Sequence, residues 1–284
     1  MSRVVVLGAD GMLGRAFCQR LSALERSYVG WARAECDLRF DEPLEKAAAS
    51  GDLVVNCAAY TNVDGAETDE ATATRVNGEA VGVLARACAR AGVPLVHFST
   101  DYVFDGAATE PYRVDHPRGP LGAYGRSKAV GEQQLEASGA SYLLVRTSWV
   151  YSAWGNNFVR TMAKLLTTRP SVQVVADQRG RPTEAQALAE NALRLFDAGQ
   201  RGIFHVTDGG ECTWYEFARA IGHAIGSHAE VKPCTTKEFP RPAPRPGYSV
   251  LDVSGTERVL GPLVPYQAQL ERLAPGLRLE LATS

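Results

Sequence analysis

Short apolar runs alternate with helix-like patterns along the first half of the chain. The β-branched run Val4–Leu7 stops at Gly8, which is typical of a buried parallel strand. From Leu13 to Leu24 the apolar residues recur at helical spacing on one face. Further elements follow to about residue 150: strands at 53–55, 95–98 and 142–145, and helices at 71–91 and 128–136. This alternation predicts right-handed βαβ units and a parallel sheet with helices on both faces.

The pattern loosens after residue 150, where shorter elements of both kinds are predicted. They are helices at 157–166, 185–196 and 215–225, strands at 172–175 and 203–206, and a Pro- and charge-rich surface loop at 233–246. We predict an α/β fold, a Rossmann-type doubly wound parallel sheet with a smaller C-terminal α/β substrate domain. The first domain covers residues 1–150, completed by segments near 185–210, and the second covers mainly residues 151–284.

Composition narrows the functional class. The 284 residues carry 30 basic and 32 acidic side chains, a balance that lacks the electrostatic footprint of a general nucleic-acid binder. No apolar run approaches the ~18 residues of a membrane helix, and Val4–Leu7 is too short for the core of a signal peptide. None of the six cysteines forms a CxxC pair, which favours reduced thiols and a cytoplasmic protein. The five histidines show no metal-ligand spacing, and His97 and His205 lie in predicted strands as core residues.

A glycine pattern, GxxGxxG, stands between the first strand and the first helix. Gly8 permits a tight turn, Gly11 lets the backbone approach a pyrophosphate, and Gly14 allows close packing of helix on strand. The N-terminus of the helix supplies free N–H groups and a partial positive charge to the phosphates. Because the pattern follows a strand and opens a helix, it predicts a dinucleotide site; the alternative is a merely structural turn.

The end of the second strand indicates which nicotinamide cofactor fits. An acidic residue there prefers a free ribose 2′-OH, whereas Arg accepts a 2′-phosphate. The segment 28–33 has no acid and ends in Arg33, which favours NADP(H) and leaves NAD(H) as the second choice. Asp37 and Leu38 follow, close to where adenine would bind. The alternative for Arg33 is an ordinary solvated side chain.

Candidate acid–base chemistry follows two later elements. Thr100 comes directly after a strand, and Tyr124 and Lys128 are four residues apart, which places them on one helix face. A phenol has a pKa near 10, and a nearby ammonium should lower it. Lys128 would also reach the nicotinamide ribose, and the Thr100 hydroxyl would hold the substrate oxygen beside the phenol. Tyr and Lys occur at this spacing commonly by chance, and the alternative is that both are exposed surface residues without a function.

More specific motifs cover nearly the whole chain. They are GADGMLGRAF from Gly8, DLVVNCAAYTNVDGAE from Asp52, VNGEAVGVLA from Val76, STDYVFDG from Ser99, YGRSKAVGE from Tyr124, RTSWVYSAWGNNFV from Arg146, DQRGRPT from Asp177, GIFHVTDGGECTWYEFA from Gly202 and RPGYSVLD from Arg245. With these motifs the chain resembles the extended short-chain dehydrogenase/reductase superfamily and, more narrowly, the dTDP-4-dehydrorhamnose reductase family.

The resemblance implies a reaction and a role for each matched residue. The expected reaction is NAD(P)H-dependent reduction of the C4 ketone of a nucleotide-activated 4-keto-6-deoxyhexose, such as dTDP-4-dehydro-L-rhamnose. Tyr124 would donate the proton, Lys128 would assist it, and Thr100 would polarise the substrate carbonyl. The implied cofactor contacts are Gly11, Met12 and Leu13 at the pyrophosphate, Asp37 and Leu38 at adenine, and Ala58, Ala59 and Tyr60 beyond the third strand. The implied substrate contacts are Thr100, Asp101, Tyr124, Trp149, Asn157 and Arg245.

Two positions depart from the family pattern, and they leave the substrate of the expected reaction undetermined in part. Val114 and Gly122 stand where the family often has Glu and Asn, which leaves the exact sugar undetermined. The chain shows no acidic cluster for the interfacial magnesium of some members, so we predict no metal and a monomer or weak homodimer. Two alternatives remain. One is a non-catalytic NADP-binding regulatory subunit, like the methionine adenosyltransferase β subunit, and the other is a sugar-nucleotide epimerase or dehydratase. The alternative for Trp149 is a purely structural role in the apolar core.

Overall fold

The computed structural model describes residues 3–283, with the side chains of residues 3–278; residues 1, 2 and 284 of the predicted domains lie outside this range. The strands are β1 Val4–Leu7, β2 Tyr28–Trp31, β3 Leu53–Asn56, β4 Leu95–Thr100, β5 Tyr142–Thr147, β6 Val150–Tyr151, β7 Ser171–Val175, β8 Arg179–Gly180, β9 Thr183–Glu184, β10 Gly202–His205, β11 Cys212–Thr213 and β12 Glu230–Cys234. The α-helices are α1 Met12–Ala23, α2 Asp41–Ala48, α3 Val63–Ala66, α4 Glu70–Thr74, α5 Ala80–Ala91, α6 Ala123–Glu136, α7 Phe158–Thr168, α8 Ala185–Asp197, α9 Trp214–Ile225, α10 Ser254–Leu260 and α11 Tyr266–Thr283.

A six-stranded sheet in the order β10-β5-β4-β3-β1-β2 forms the centre of the fold. All of its neighbouring strands are parallel. The chain moves outward from β1 to β2 and then crosses to β3 on the other side of β1. This reversal is a topological switch point, where open α/β sheets bind ligands at the carboxyl ends of their strands. The predicted α/β fold with a parallel sheet is confirmed.

Helices cover both faces of the sheet, which explains why its first strand is apolar throughout. Val4 and Val6 of β1 pack against α1 and α8 on one face. Val5 and Leu7 pack against α2 and α5 on the other face. Because each side of β1 has its own buried partner, the first strand and the loop that follows it are held rigidly in place.

A second apolar core lies in the C-terminal half. It is centred on Phe217 of α9, against which α7 and α11 pack. Beside it lie the short strand pairs β6–β9, β7–β12 and β8–β11. The chain nevertheless returns to the first sheet, because α8 packs on α1 and β10 pairs with β5. Among the residues described, no helix has the length and apolar surface that crossing a bilayer requires.

Two helices differ from the prediction in ways that matter for the site. The helix predicted over 71–91 is interrupted by a π-helical turn at Arg75–Glu79, from which Asn77 reaches a neighbouring loop. The helix predicted from Lys128 begins earlier, at Ala123. Its N-cap residue is Gly122, which has no side chain to cap the helix, and the Glu67 carboxylate accepts from the Ala123 N–H at 2.8 Å instead. The helix therefore starts just before Tyr124, as the shared helix face predicted for Tyr124 and Lys128 requires, and its cap comes from a residue distant in sequence.

Candidate active site

The glycine loop after β1 leaves no room for side chains. Gly8 has φ +73°, and a Cβ there would lie 2.9 Å from the backbone nitrogen of Ala58. A Cβ on Gly14 would lie 2.0 Å from the carbonyl oxygen of Gly8. Helix α1 then begins at Met12 with no acidic residue in its first turn, so its positive end is not neutralised. An open cradle before an uncompensated helix N-terminus fits the pyrophosphate of a dinucleotide.

A loop from the C-terminal half covers the start of α1. The indole Nε1 of Trp154 donates to the Met12 carbonyl at 3.2 Å, and the Arg15 guanidinium lies 4.9 Å from the Trp154 ring centroid. Next to it Gly155 has φ +69°, and a Cβ there would lie 2.7 Å from the Met12 side chain. Sequence reasoning missed Trp154 and Arg15 as neighbours of the glycine loop, because 142 residues separate Met12 from Trp154.

Asn157 serves the same loop. Its side-chain oxygen accepts from the Arg160 N–H at 3.1 Å and caps α7. Its amide nitrogen donates to the carbonyls of Ser152 at 2.9 Å and Trp154 at 3.1 Å. Both ends of the amide are thus used within the chain, which gives Asn157 a structural role. Its contact with a substrate stays a prediction.

The adenine end of the predicted cofactor site is basic. The Arg33 side chain is 73% exposed and lies 3.6 Å from the Asp37 carboxylate. The hydrogen bonds that Arg39 donates to Asp37, the shorter at 2.6 Å, hold the pKa of that carboxyl well below its ordinary value. Asp37 is therefore paired with Arg39, and Leu38 is buried; the contact of either residue with adenine stays a prediction. The sequence analysis did not single out Arg39, which is a second cation at this end.

The strip predicted to line the cofactor, Ala58–Ala59–Tyr60, is fixed by buried amides. Asn56 accepts from the first N–H of the strip at 3.1 Å. Asn77 binds both backbone groups of Tyr60, accepting from its N–H at 2.8 Å and donating to its carbonyl at 2.9 Å. Asn77 also donates to the Ser127 hydroxyl on α6 at 3.0 Å. Asn77 was not predicted, although a lone Asn in an Ala-rich helix is a visible signal.

The predicted catalytic trio comes together at the carboxyl end of β4. The Thr100 hydroxyl donates to the Asp101 carboxylate at 2.9 Å and lies close enough to the Tyr124 phenol to lower its pKa, against the larger effect of burial. Lys128 follows one turn later on α6 and is buried, and its Nζ donates to the Phe98 carbonyl at 2.7 Å. Strand β4 therefore supplies Thr100, and the first two turns of α6 supply the phenol and the ammonium.

Burial shifts the acid–base properties of these groups. It lowers the pKa of Lys128 to about 8, although the negative charge of Glu132 opposes that change. Burial, and then the charge of Asp101, raise the pKa of the Tyr124 phenol above its ordinary value. The predicted lowering by Lys128 is therefore wrong for this structure, because desolvation of the phenol dominates. Burial also raises the pKa of Asp101 to about 6, although the hydrogen bond that Thr100 donates to it at 2.9 Å acts in the opposite direction.

A buried ion cluster supports α6 from behind. Glu132 is fully buried and accepts from Arg146 at 2.9 and 2.7 Å and from Arg118 at 2.6 Å. Burial lowers the pKa of the nearby His205 to about 3, and the Arg146 charge acts in the same direction. His97 is also buried, and its Nδ1 lies 3.2 Å from the amide nitrogen of Asn56. Both histidines are core residues of the sheet, as predicted.

A cleft of about 910 Å³ opens beside the trio. Tyr102 lies at its wall and meets the Tyr124 ring edge-on at 6.0 Å. The cleft is lined by the aromatic residues Tyr102, Phe158, Trp214 and Phe239 and by the cations Arg169, Lys232, Arg241 and Arg245. The described lining holds one carboxylate, Asp64. Cations with aromatic rings in one cleft suit an anionic ligand that carries a stackable base.

Two of the predicted substrate contacts shape this cleft. Trp149 has φ +48° and stacks on Trp214, with ring centroids 3.6 Å apart. Gly180 lies under the Trp149 ring, where a Cβ would come within 2.7 Å. Arg245 lines the cleft and donates to the Asp64 carboxylate at 2.9 Å. Arg245 thus faces the cleft directly, while the stacking shows Trp149 supporting the lining residue Trp214.

Comparison with known proteins assigns the chain to a family. The model of the RmlD substrate binding domain matches residues 2–278. A dTDP-4-dehydrorhamnose reductase of Mycolicibacterium smegmatis is 41% identical over 253 residues, which cover 88% of this chain and 77% of that protein. The chain belongs to the dTDP-4-dehydrorhamnose reductase family. The family predicted from the sequence motifs is confirmed.

Further relatives match nearly the whole chain of this dTDP-4-dehydrorhamnose reductase family member, one in fold and one in sequence. A crystal structure of the Bacillus anthracis reductase in complex with NADP superposes with a TM-score of 0.91 at 34% identity and covers 96% of this chain and 98% of that one. A probable dTDP-4,6-dihydroxy-2-methyloxan-3-one 4-ketoreductase of Streptomyces antibioticus is 41% identical, over 97% of this chain and 95% of that protein. Within residues 3–278 of the present family member, no group of three or more His, Cys, Asp or Glu could hold a metal ion.

Proposed function

We propose that this chain catalyses the NAD(P)H-dependent reduction of the C4 ketone of a dTDP-linked 4-keto-6-deoxyhexose. The substrate is dTDP-4-dehydro-L-rhamnose or a closely related sugar nucleotide, and the product is the C4 alcohol. The observation that carries the proposal is the meeting of Thr100, Tyr124 and Lys128 at the carboxyl end of β4, next to Tyr102 in the wall of the cationic, aromatic cleft. The names of the relatives from Mycolicibacterium smegmatis and Streptomyces antibioticus support it, since both describe reductases of dTDP-linked ketones.

The glycine loop and the residues around it would hold the cofactor. Gly8, Gly11 and Gly14 form the cradle, with the N–H groups of Met12 and Leu13 toward the pyrophosphate. The cofactor is NADP(H) in preference to NAD(H), a choice supported by the exposed Arg33 and by the NADP in the Bacillus anthracis structure. Asp37, Leu38 and the strip Ala58–Ala59–Tyr60 complete the proposed cofactor contacts. When bound, the cofactor supplies the hydride that C4 of the substrate accepts.

Tyr124 would supply the proton. Because burial raises its pKa, the phenol stays protonated at neutral pH and is ready to act as a general acid. Its Oη donates the proton to the substrate oxygen as negative charge develops there. The Thr100 hydroxyl holds that oxygen beside the phenol. Lys128 lies one turn away on the same helix, where its ammonium would orient the cofactor ribose.

The cleft would bind the nucleotide part of the substrate. A diphosphate carries two or more negative charges, and a planar guanidinium such as that of Arg245 can bind two of its oxygens at once. The rings of Trp214 and Phe158 offer faces for the base. Asp101, Trp149 and Asn157 remain part of the proposed substrate site. The six free cysteines support a cytoplasmic location, and we expect a monomer or weak homodimer that binds neither nucleic acid nor membrane.

Tyr124→Phe tests the proposed reaction. With NADPH and a dTDP-4-keto-6-deoxyhexose, the loss of absorbance at 340 nm should slow by about a thousandfold, within the range of general acid catalysis. NADPH binding, measured by calorimetry, should persist. Tyr142→Phe is the matched control. Tyr142 is the first residue of β5 and pairs with the start of β4, so it lies at the opposite edge of the sheet from Thr100.

Near-wild-type turnover in Tyr124→Phe would contradict the assignment of the proton donor. If the wild type consumed no NADPH with any 4-keto sugar nucleotide, the reaction itself would be refuted. Consumption of one NADPH per product separates a reductase from an epimerase or dehydratase that recycles its cofactor.

A further inference from the structure

Asp64 is the carboxylate in the wall of the cleft, and it binds a distant loop. It lies on α3, four residues after Tyr60 of the cofactor strip. Its Oδ1 accepts from Arg245 Nη2 at 2.9 Å and from the Ala243 N–H at 3.3 Å. Its Oδ2 lies 3.9 Å from Arg241 Nη1. One carboxylate thus accepts two hydrogen bonds from a single segment and forms a longer ion pair with it.

That segment, residues 236–246, is called the cover loop below. Its first residue, Thr236, is fixed by Asp177, which accepts from its N–H at 3.0 Å and from its hydroxyl at 2.7 Å. The loop contains Pro240, Pro242, Pro244 and Pro246, which have no N–H to donate. The start of the loop is closed by two backbone hydrogen bonds, from Glu238 to Thr235 at 3.1 Å and from Phe239 to Thr236 at 3.2 Å. Asp177 and Asp64 hold the two ends of the cover loop on the protein.

The far end of the cover loop packs directly beside the catalytic helix. A Cβ on Gly106 would lie 2.6 Å from the ring of Pro246, and a Cβ on Gly122 would lie 3.4 Å from that of Pro244. Gly122 is the N-cap of α6, two residues before Tyr124. This packing of Pro244 and Pro246 against two glycines adds to the anchoring of the far end of the cover loop.

Arg245 keeps one edge of its guanidinium for a ligand. Nη2 is bound by Asp64, whereas Nη1 is buried and has no hydrogen-bond partner in the described part of the chain. The guanidinium also lies 5.9 Å from the ring centroid of Tyr102. A buried donor without a partner costs free energy, and an anionic oxygen at that position would remove the cost. Arg245 is thus oriented on one side and unsatisfied on the other.

We infer that Asp64 is a positioning residue for the sugar nucleotide: it holds Arg245 and the cover loop across the cleft, so that the free edge of the guanidinium meets the diphosphate. This role deepens the proposed function and rests on it. A freely rotating arginine loses side-chain entropy when it binds, and a fixed one has already lost it. Asp64 therefore acts on binding of the sugar nucleotide and not on the chemical step.

Asp64→Asn tests the inference, with Glu45→Gln as the control because Glu45 forms an exposed pair with Arg90 elsewhere on the surface. Hydrogen exchange of the cover loop is measured without any ligand, and dTDP binding is measured by calorimetry. In Asp64→Asn the loop should exchange about tenfold faster and dTDP should bind about tenfold more weakly, as expected for loss of a charged hydrogen bond. The kcat at saturating substrate and the KM for NADPH should stay within about twofold of the wild type, as should both values in Glu45→Gln.

Other outcomes overturn the inference. Tighter dTDP binding in Asp64→Asn would mean that the carboxylate competes with the diphosphate. Unchanged hydrogen exchange of the cover loop and unchanged dTDP affinity would mean that Asp64 neither anchors the loop nor orients Arg245. A fall in kcat with unchanged dTDP affinity would mean that Asp64 acts on the chemical step. If the wild type itself failed to bind dTDP, the proposed substrate class would fall, while the exchange rates would still decide whether Asp64 holds the cover loop.

Discussion

Glu132→Gln replaces a fully buried carboxylate behind the catalytic helix by a neutral amide. Glu132 accepts two hydrogen bonds from Arg146 and one from Arg118, and the Arg146 side chain is only 2% exposed. Glutamine offers one oxygen instead of two, and its NH₂ group would face a guanidinium. The buried cation therefore loses its counter-charge and part of its hydrogen bonding.

The expected loss of stability is large. Removing one partner of a buried pair costs about 3–5 kcal/mol, and the oxygen that Gln retains puts the cost near the lower figure. At about 2.1 cal/mol/K per residue, the 284 residues have an unfolding entropy of about 0.6 kcal/mol/K. A destabilisation of ~3 kcal/mol therefore lowers Tm by about 5 °C, which differential scanning calorimetry resolves easily.

The same substitution should move the alkaline limit of activity. Burial lowers the pKa of Lys128 to about 8, and Glu132 is the charge that opposes this. Without Glu132 the neighbouring guanidinium charges act unopposed, so the pKa of Lys128 falls further. If the ammonium is needed for turnover, kcat/KM of the wild type declines as pH rises through about 8, and that of the variant declines about one pH unit earlier.

Glu136→Gln is the control, because Glu136 pairs with Arg118 at the more exposed end of the same cluster. It should change Tm by under about 1 °C and leave the pH profile of kcat/KM where it is. An alkaline limb that does not move in Glu132→Gln, despite the lower Tm, would refute the coupling between the buried cluster and Lys128. An unchanged Tm would refute the stability argument as well.

Two further substitutions test buried groups away from this cluster. Asn77→Ala removes both hydrogen bonds to the Tyr60 backbone, and we expect NADPH to bind about tenfold more weakly by calorimetry; unchanged affinity would contradict the role of this strip. Burial raises the pKa of Asp208 to about 8. Between about pH 4 and pH 8 the folded protein therefore keeps a proton on Asp208 that the unfolded chain releases, so the free energy of unfolding falls as the pH rises through this range. Asp208→Asn can still accept from Tyr151 and the Glu184 N–H, so its Tm should exceed that of the wild type by several degrees at pH 8 and converge with it near pH 4; a constant difference would contradict this.

The sequence predicted those parts of the site that depend on local pattern. The strand β1 is apolar throughout because both of its faces are buried, and that pattern is visible without the fold. The spacing of Gly8, Gly11 and Gly14 follows from backbone contacts within one turn. Tyr124 and Lys128 are one helical turn apart, so their juxtaposition needs no tertiary information.

Other parts depend on contacts between distant segments. Asp64 and Arg245 are 181 residues apart, and nothing near either residue indicates the pair. The direction of the Tyr124 pKa was mispredicted because a neighbouring cation is visible in sequence, whereas desolvation by the surrounding fold is not. Asn157 was assigned to the substrate from its motif, although its amide caps a helix and holds a loop.

Gly122 shows how a departure from the family pattern acquires a physical meaning. From sequence, glycine in place of the usual Asn leaves the identity of the sugar open. In the fold, a Cβ at this position would lie 2.6 Å from the Glu67 carboxylate that caps α6 and 3.4 Å from Pro244 of the cover loop. The missing side chain therefore makes room for another cap and for a loop, both of which act on the start of the catalytic helix. A larger side chain at this position would displace the Glu67 cap and crowd Pro244 of the cover loop.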